Sequence, residues 1–230
     1  MTHIVTRLNK VRAQIDAASA HSDRRPGSAH LLAVSKTWPA EAVREAAQAG
    51  QRDFGENYVQ EAVEKIEALA DLDLAWHFIG PLQSNKTRQI ANRVQWVHSV
   101  DRLKIAQRLS EQRDPALPPL NVCLQVNVSG EASKSGISPA ELPELAEAVA
   151  GLPNLKLRGL MGIPEPTEDE ALLRSRFQLL KTLKDELSAK LHLELDTLSM
   201  GMSSDMELAI AEGSTLVRVG TAIFGQRDYS

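Results

Sequence analysis

The sequence predicts an α/β protein, a single closed (β/α)8 TIM barrel with one extra helix at its N-terminus, and three observations carry that prediction. Short β-rich runs alternate with longer stretches of helical periodicity from residue 30 to the C-terminus, giving about eight βα units. Such alternation implies a parallel sheet, because each helix must cross back right-handed to start the next strand beside the last. The first strand ends in Ser35-Lys36-Thr37-Trp38-Pro39, not in the Gly-rich fingerprint usual in an open doubly wound sheet. The 230 residues also fit the barrel's typical length of about 250, so residues 1–230 are expected to form one domain.

The elements follow in order. Residues 1–20 place Ile4, Leu8, Val11 and Ile15 on one helical face, and charges interrupt them too often for a signal peptide. This is the extra helix. Strands are expected at 30–35, 52–55, 76–79 and 96–99 in the first half, then at 121–128, 156–161, 194–199 and 216–219. Helices separate them, the clearest at 139–150 and 168–190. The stretch Asp114-Pro115-Ala116-Leu117-Pro118-Pro119 reads as a Pro-rich loop, not a linker.

Composition narrows the partners. With 43% hydrophobic and 24% charged residues the chain can bury a sizeable core. The net charge of -4 comes without a stripe of Lys or Arg, so nucleic acid is not expected to bind. No apolar stretch approaches the roughly 20 residues needed to cross a bilayer, so no membrane span is expected. The single cysteine, Cys123, can form no intrachain disulfide and suits the cytoplasm. Six histidines without an HxxxH pair, beside that one cysteine, predict no metal site.

Chemistry in such a barrel sits where the strands stop. Those positions here are Lys36, Glu56 and Asn57, His77, Ser99, Asn127, Met161, the stretch 199–204 including Met200, and 218–221. Lys36 follows Leu31-Leu32-Ala33-Val34, so its amine is expected in the barrel mouth above apolar walls, which favour the neutral, nucleophilic form of an amine. Position alone fits a surface lysine just past a strand better. The loops after strands seven and eight, which form the recurrent phosphate site of this fold, carry Met200-Gly201-Met202-Ser203-Ser204 and Gly220-Thr221. Ser204 with Glu207 three residues on reads as a capping box, which leaves Ser203 for a phosphate. Arg218 stands inside an apolar strand and must find an acceptor, either a carboxylate or a ligand atom. Lys134 and the pair Lys86 and Arg88 read as solvated charges near the mouth.

Five segments in unbroken order, Ala33-Val34-Ser35-Lys36-Thr37, Phe54-Gly55-Glu56-Asn57-Tyr58, the run from His77 to Lys86, Ser199-Met200-Gly201-Met202-Ser203 and the run from Val217 to Gly225, resemble the pyridoxal phosphate homeostasis proteins. The resemblance implies the barrel of the alanine racemase N-terminal domain, with pyridoxal 5'-phosphate as cofactor in a Schiff base on Lys36. It further implies that Ser203, Gly220 and Thr221 hold the phosphate, that Arg218 faces the pyridine nitrogen, and that Asn57, His77 and Met200 belong to the same site. Where relatives carry a second lysine two positions on, this chain has Trp38. The role implied is vitamin B6 homeostasis by a monomer without dedicated turnover, with apo enzymes as transient partners.

An arginine opposite the ring nitrogen weakens the electron sink, because a guanidinium only donates. A small amino acid racemase is the alternative, but it needs a second proton carrier, and the only tyrosines are Tyr58, expected in helix packing, and Tyr229. A third reading keeps the barrel and makes Lys36 the counter-charge of some other phosphate.

Overall fold

Eight parallel strands close on themselves in chain order: β1 (His30–Val34), β2 (Asp53–Glu56), β3 (Ala75–Phe78), β4 (Trp96–Val100), β5 (Leu120–Val126), β6 (Leu155–Gly162), β7 (Thr197–Ser199) and β8 (Leu216–Val219). The structure, a computed structural model, describes residues 3–130 and 135–226. Closure is made by β1 against β8, with Leu31 opposite Val217 and Leu32 opposite Arg218. The expected (β/α)8 barrel is therefore the architecture found.

The helices are α1 (His3–His21), α2 (Ala40–Gln48), α3 (Val59–Ala68), α4 (Thr87–Ile90), α5 (Leu103–Gln112), α6 (Leu142–Ala150), α7 (Glu170–Leu191), α8 (Met206–Ala211) and α9 (Thr221–Phe224). Their inward faces follow the helical period: α5 buries Ile105, Ala106 and Leu109. Helix α7 starts where Asp169 accepts a hydrogen bond from the Leu172 N–H and stops at His192, whose φ of 52° is left-handed.

Helix α1 completes the outer layer. Among the described residues after β8 the helix is the single turn of α9, too short to cover that part of the sheet. Helix α1 fills the gap, packing Leu8, Val11, Ile15 and Ala18 beside α2, α8 and α9.

Two kinds of core result. Between sheet and helices lies a continuous apolar layer that includes Phe54, Phe78, Ile105, Leu109 and Phe177. Inside the barrel the filling is split: Leu32, Val34, Ile79 and Leu216 form a small apolar cluster, while His77, His98, Ser199 and Arg218 form a buried polar group. A barrel interior is normally stacked with bulky branched residues, so this polar group calls for a chemical reason.

Candidate functional site

A cavity of about 310 Å³ opens at the C-terminal ends of the strands, lined by Val34, Lys36, Asn57, Ile79, Ile163, Met202, Ser203, Ser204, Arg218, Gly220 and Thr221. A second cavity, of about 560 Å³, shares Val34, Lys36, Gly220 and Thr221 and extends past Trp38 to Gln226. Lys36 and the β8 loop thus stand between two open spaces. Lys36, Asn57, Ser203, Arg218, Gly220 and Thr221, remote in sequence, meet here.

Lys36 is set by the loop around it. The Ser35 hydroxyl donates to Glu56 Oε1 at 2.6 Å, and the Lys65 ammonium donates to the Ser35 carbonyl and to Glu56 Oε1, both at 2.7 Å. On the other side of Lys36 the Thr37 N–H donates to Glu61 Oε2 at 2.6 Å, with Thr37 held at a φ of 65°. Glu56 and Lys65 are buried, with side chains only 1% and 8% exposed. Burial pushes the Glu56 carboxyl above its ordinary range, and Lys65 and Ser35 pull it back. The lysine that lines the cavity is therefore clamped by a second, buried lysine that sequence reading did not single out. A signal existed: Ala62, Lys65 and Leu69 lie at helical spacing and are all buried.

Asn57 is placed by a glycine. An added Cβ on Gly80 would lie 2.0 Å from the Asn57 carbonyl oxygen, so the β3 loop can pass over Asn57 only as glycine. Asn57 Oδ1 is buried without a hydrogen-bond partner, an acceptor within the wall of the cavity.

Arg218 is buried, and its partners are Ser199 Oγ at 2.8 Å from Nη1 and the Gly162 carbonyl at 3.0 Å from Nη2. Neither alternative of a carboxylate clamp or a ligand alone describes it: among the described residues no carboxylate lies within ion-pair distance, and its protein partners are a hydroxyl and a carbonyl. Burial brings its pKa down to about 10, so it remains a cation at neutral pH. A guanidinium has five donors, and two hydrogen bonds leave others for the cavity it lines.

The loop after β7 is tighter than its sequence suggested. Gly201 sits at a φ of 93°, where an added Cβ would meet Ala209 Cβ at 2.6 Å. Ser204 is no cap: Asp205 takes the N-cap position of α8, and its Oδ1 accepts from the Met202 N–H at 2.6 Å. The turn closes one residue later than the capping box predicts, which leaves both Ser203 and Ser204 exposed to the cavity.

Three expectations change. His77 does not line the cavity; its ring lies inside the barrel, fully buried, bonded to His98 and Asp53 and stacked on Trp96 with centroids 5.3 Å apart. Met200 is fully buried below the loop, and Met202 takes the wall position. Tyr58 packs little, being 52% exposed, because it precedes α3 rather than lying in it. Lys134 and Tyr229 lie outside the described residues. Among the described residues no group of His, Cys, Asp and Glu is arranged to hold a metal ion, and no helix is long and apolar enough to cross a membrane.

Comparison with known proteins gives the geometry a context. Residues 6–228 match the family described as alanine racemase, N-terminal domain. A protein of Pseudomonas aeruginosa named pyridoxal phosphate homeostasis protein is 65% identical over 229 residues, covering 100% of this chain and 98% of that one. A protein of the same name from Escherichia coli is 54% identical, covering 100% of this chain and 99% of its own. Among solved structures, PipY of Synechococcus elongatus with PLP bound is 42% identical with a TM-score of 0.86, covering 96% of this chain and 100% of that chain.

Proposed function

The chain belongs to the alanine racemase N-terminal domain family and, within it, to the pyridoxal phosphate homeostasis proteins, and from that premise we propose that it binds pyridoxal 5'-phosphate for vitamin B6 homeostasis. The observation that carries this reading is the convergence on one cavity of an amine, a buried cation, an unpartnered amide oxygen and two loops of hydroxyl groups and glycine. That set fits a ligand that offers an aldehyde, a ring acceptor and a phosphate. When bound, pyridoxal phosphate supplies an aldehyde that condenses with an amine and a ring that can withdraw electrons.

Lys36 provides the amine and holds the cofactor covalently through Nζ. Ser203, Ser204 and Thr221 offer hydroxyl and backbone donors to the phosphate, and Gly220 lets the backbone come close: a Cβ there would crowd the Val34 carbonyl oxygen at 3.0 Å. Arg218 donates toward the ring and cannot protonate a ring nitrogen, which keeps the electron sink weak. Besides Lys36 and Arg218, the described lining of the cavity holds no side chain that titrates near neutral pH and could serve as a second proton carrier. This supports a binding role without dedicated turnover over the racemase alternative.

The protein so conceived is a cytoplasmic monomer that passes cofactor transiently to apo enzymes. The buried free thiol of Cys123 suits a reducing compartment. The purified protein should show the absorbance of bound pyridoxal phosphate, and borohydride should fix it to Lys36. Lys36→Met should abolish fixation while phosphate binding weakens modestly. A protein that stays colourless with pyridoxal phosphate, with Lys36 unmodified, sinks the proposal.

A further inference from the structure

Five side chains from five strands form one hydrogen-bonded line through the barrel. Arg218 Nη1 lies 2.8 Å from Ser199 Oγ, and Ser199 Oγ lies 2.8 Å from His98 Nδ1. His98 Nε2 lies 2.9 Å from His77 Nδ1, and His77 Nε2 lies 3.1 Å from Asp53 Oδ1. Four of the five are buried, and Asp53, 43% exposed at the start of β2, anchors the far end.

Donor and acceptor rules fix where each proton sits. Arg218 can only donate, so Ser199 Oγ accepts from it. An ionised Asp53 can only accept, so His77 carries its proton on Nε2. With both rings neutral, His77 Nδ1 is then an acceptor, His98 must carry its proton on Nε2, and His98 Nδ1 accepts from the Ser199 hydroxyl. Every bond points the same way, from Arg218 to Asp53. The reverse order would set a bare ring nitrogen of His77 against the Asp53 carboxylate. Burial pushes both histidines below their ordinary range, and at His98 the nearby His77 and Arg218 add to this, which keeps the two rings neutral at pH 7.

We propose that His98 and His77 are positioning residues for Arg218: locked by Asp53 as Nε2–H tautomers, they hold Ser199 as a fixed acceptor that aims the guanidinium at the cofactor cavity. The proposal rests on the reading that Arg218 faces the bound cofactor. Its physical basis is that a buried cation without a carboxylate partner must be oriented by dipoles, and here those dipoles are ordered by a carboxylate on the opposite side of the line. Trp96 adds rigidity: it stacks on His77 at an interplanar angle of 5° and carries the Arg158 guanidinium 4.7 Å from its ring centroid.

The first test needs no cofactor. Nitrogen-15 NMR of histidine in the unliganded protein at pH 7 should show His77 and His98 as neutral rings protonated at Nε2. An imidazolium, or an Nδ1–H form at either residue, overturns the proposal. The second test reads the loaded protein. Ser199→Ala removes the charge-assisted hydrogen bond to Arg218 and should weaken pyridoxal phosphate binding roughly tenfold, His98→Phe, which frees the Ser199 hydroxyl, should weaken it by a smaller factor, and both should shift the absorption band of the bound cofactor. Asp53→Asn, which keeps an acceptor oxygen, should restore most of what Asp53→Ala loses. Unchanged binding and an unchanged band in Ser199→Ala refute the positioning role. Failure of the unmodified protein to bind pyridoxal phosphate would instead refute the proposed function, and the NMR result would still decide the tautomers.

Discussion

Replacing Lys65 by Met removes one partner of the buried pair beside Lys36 and leaves Glu56, whose side chain is 1% exposed, with Ser35 as its remaining hydrogen-bond donor. Breaking such a pair costs roughly 3–5 kcal/mol. At about 2–4 °C per kcal/mol for a chain of this size, Tm should fall by about 6–20 °C. The loss should depend on pH, and its sign follows from Glu56. Burial already holds its carboxyl above the ordinary value, and Lys65 is the main group opposing that rise. Without Lys65 the folded state keeps a proton that the unfolded state releases, so the variant is favoured below the ordinary carboxylate range and loses stability as pH rises through the raised folded value. Thermal unfolding of the cofactor-free variant, followed by circular dichroism, should therefore show a larger defect at pH 8 than at pH 5. The double variant Glu56→Gln, Lys65→Met should recover much of the loss at pH 8. A defect equal at the two pH values, or below about 2 °C at both, would refute the ion-pair account. Because Lys65 also holds the Ser35 carbonyl, the same variant should retain cofactor less well than the wild type.

Three further outcomes are expected. Gly80→Ala places a Cβ 2.0 Å from the Asn57 carbonyl oxygen, a backbone clash that should cost about 3 kcal/mol or more and appear as lost soluble yield or a lower Tm. Arg218→Met removes a buried cation that has no carboxylate partner, so the cofactor-free protein should unfold no earlier than wild type, while pyridoxal phosphate binding measured by absorbance titration should weaken roughly tenfold or more. Cys123 is fully buried with its thiol pushed up to about 12, so iodoacetamide at pH 8 should leave it unlabelled in the native protein and label it after unfolding, as read by mass spectrometry.

The barrel was legible because its signals are local. Strand β8 matches its expected span, and most of the others differ by a residue or two, since an apolar run ends where its backbone leaves the sheet. Strand β7 is shorter than expected, three residues from Thr197, because Glu194, Leu195 and Asp196 remain outside the sheet. Lys36, Ser203, Arg218, Gly220 and Thr221 were legible for a related reason: the fold rule names strand ends, and these residues stand there. Ser204 misled because a Ser with Glu three positions later satisfies the capping pattern, while Asp205, one residue on, stands at the N-cap without a side-chain cap and turns its carboxylate back onto the Met202 N–H.

What the sequence concealed is pairing across the barrel. His77, His98, Ser199 and Arg218 each interrupt an apolar strand, and that anomaly is visible in the chain. Which of them meet is not, because His98 and Ser199 are 101 residues apart and adjoin only when the sheet closes. The expectation that His77 lines the ligand site took a strand-end position to mean a ligand contact, whereas its side chain points into the interior and serves Arg218 from three hydrogen bonds away. The same reasoning explains why a polar group occupies space that an apolar barrel would fill. Leu32, Val34, Ile79 and Leu216 show that this interior can be packed with aliphatic residues. Extending that packing across His77, His98, Ser199 and Arg218 would avoid burying their polar atoms, yet it would leave a ligand ring without an oriented cation. The polar half of the barrel is thus better explained by what it holds in place at the mouth than by what it adds to the fold.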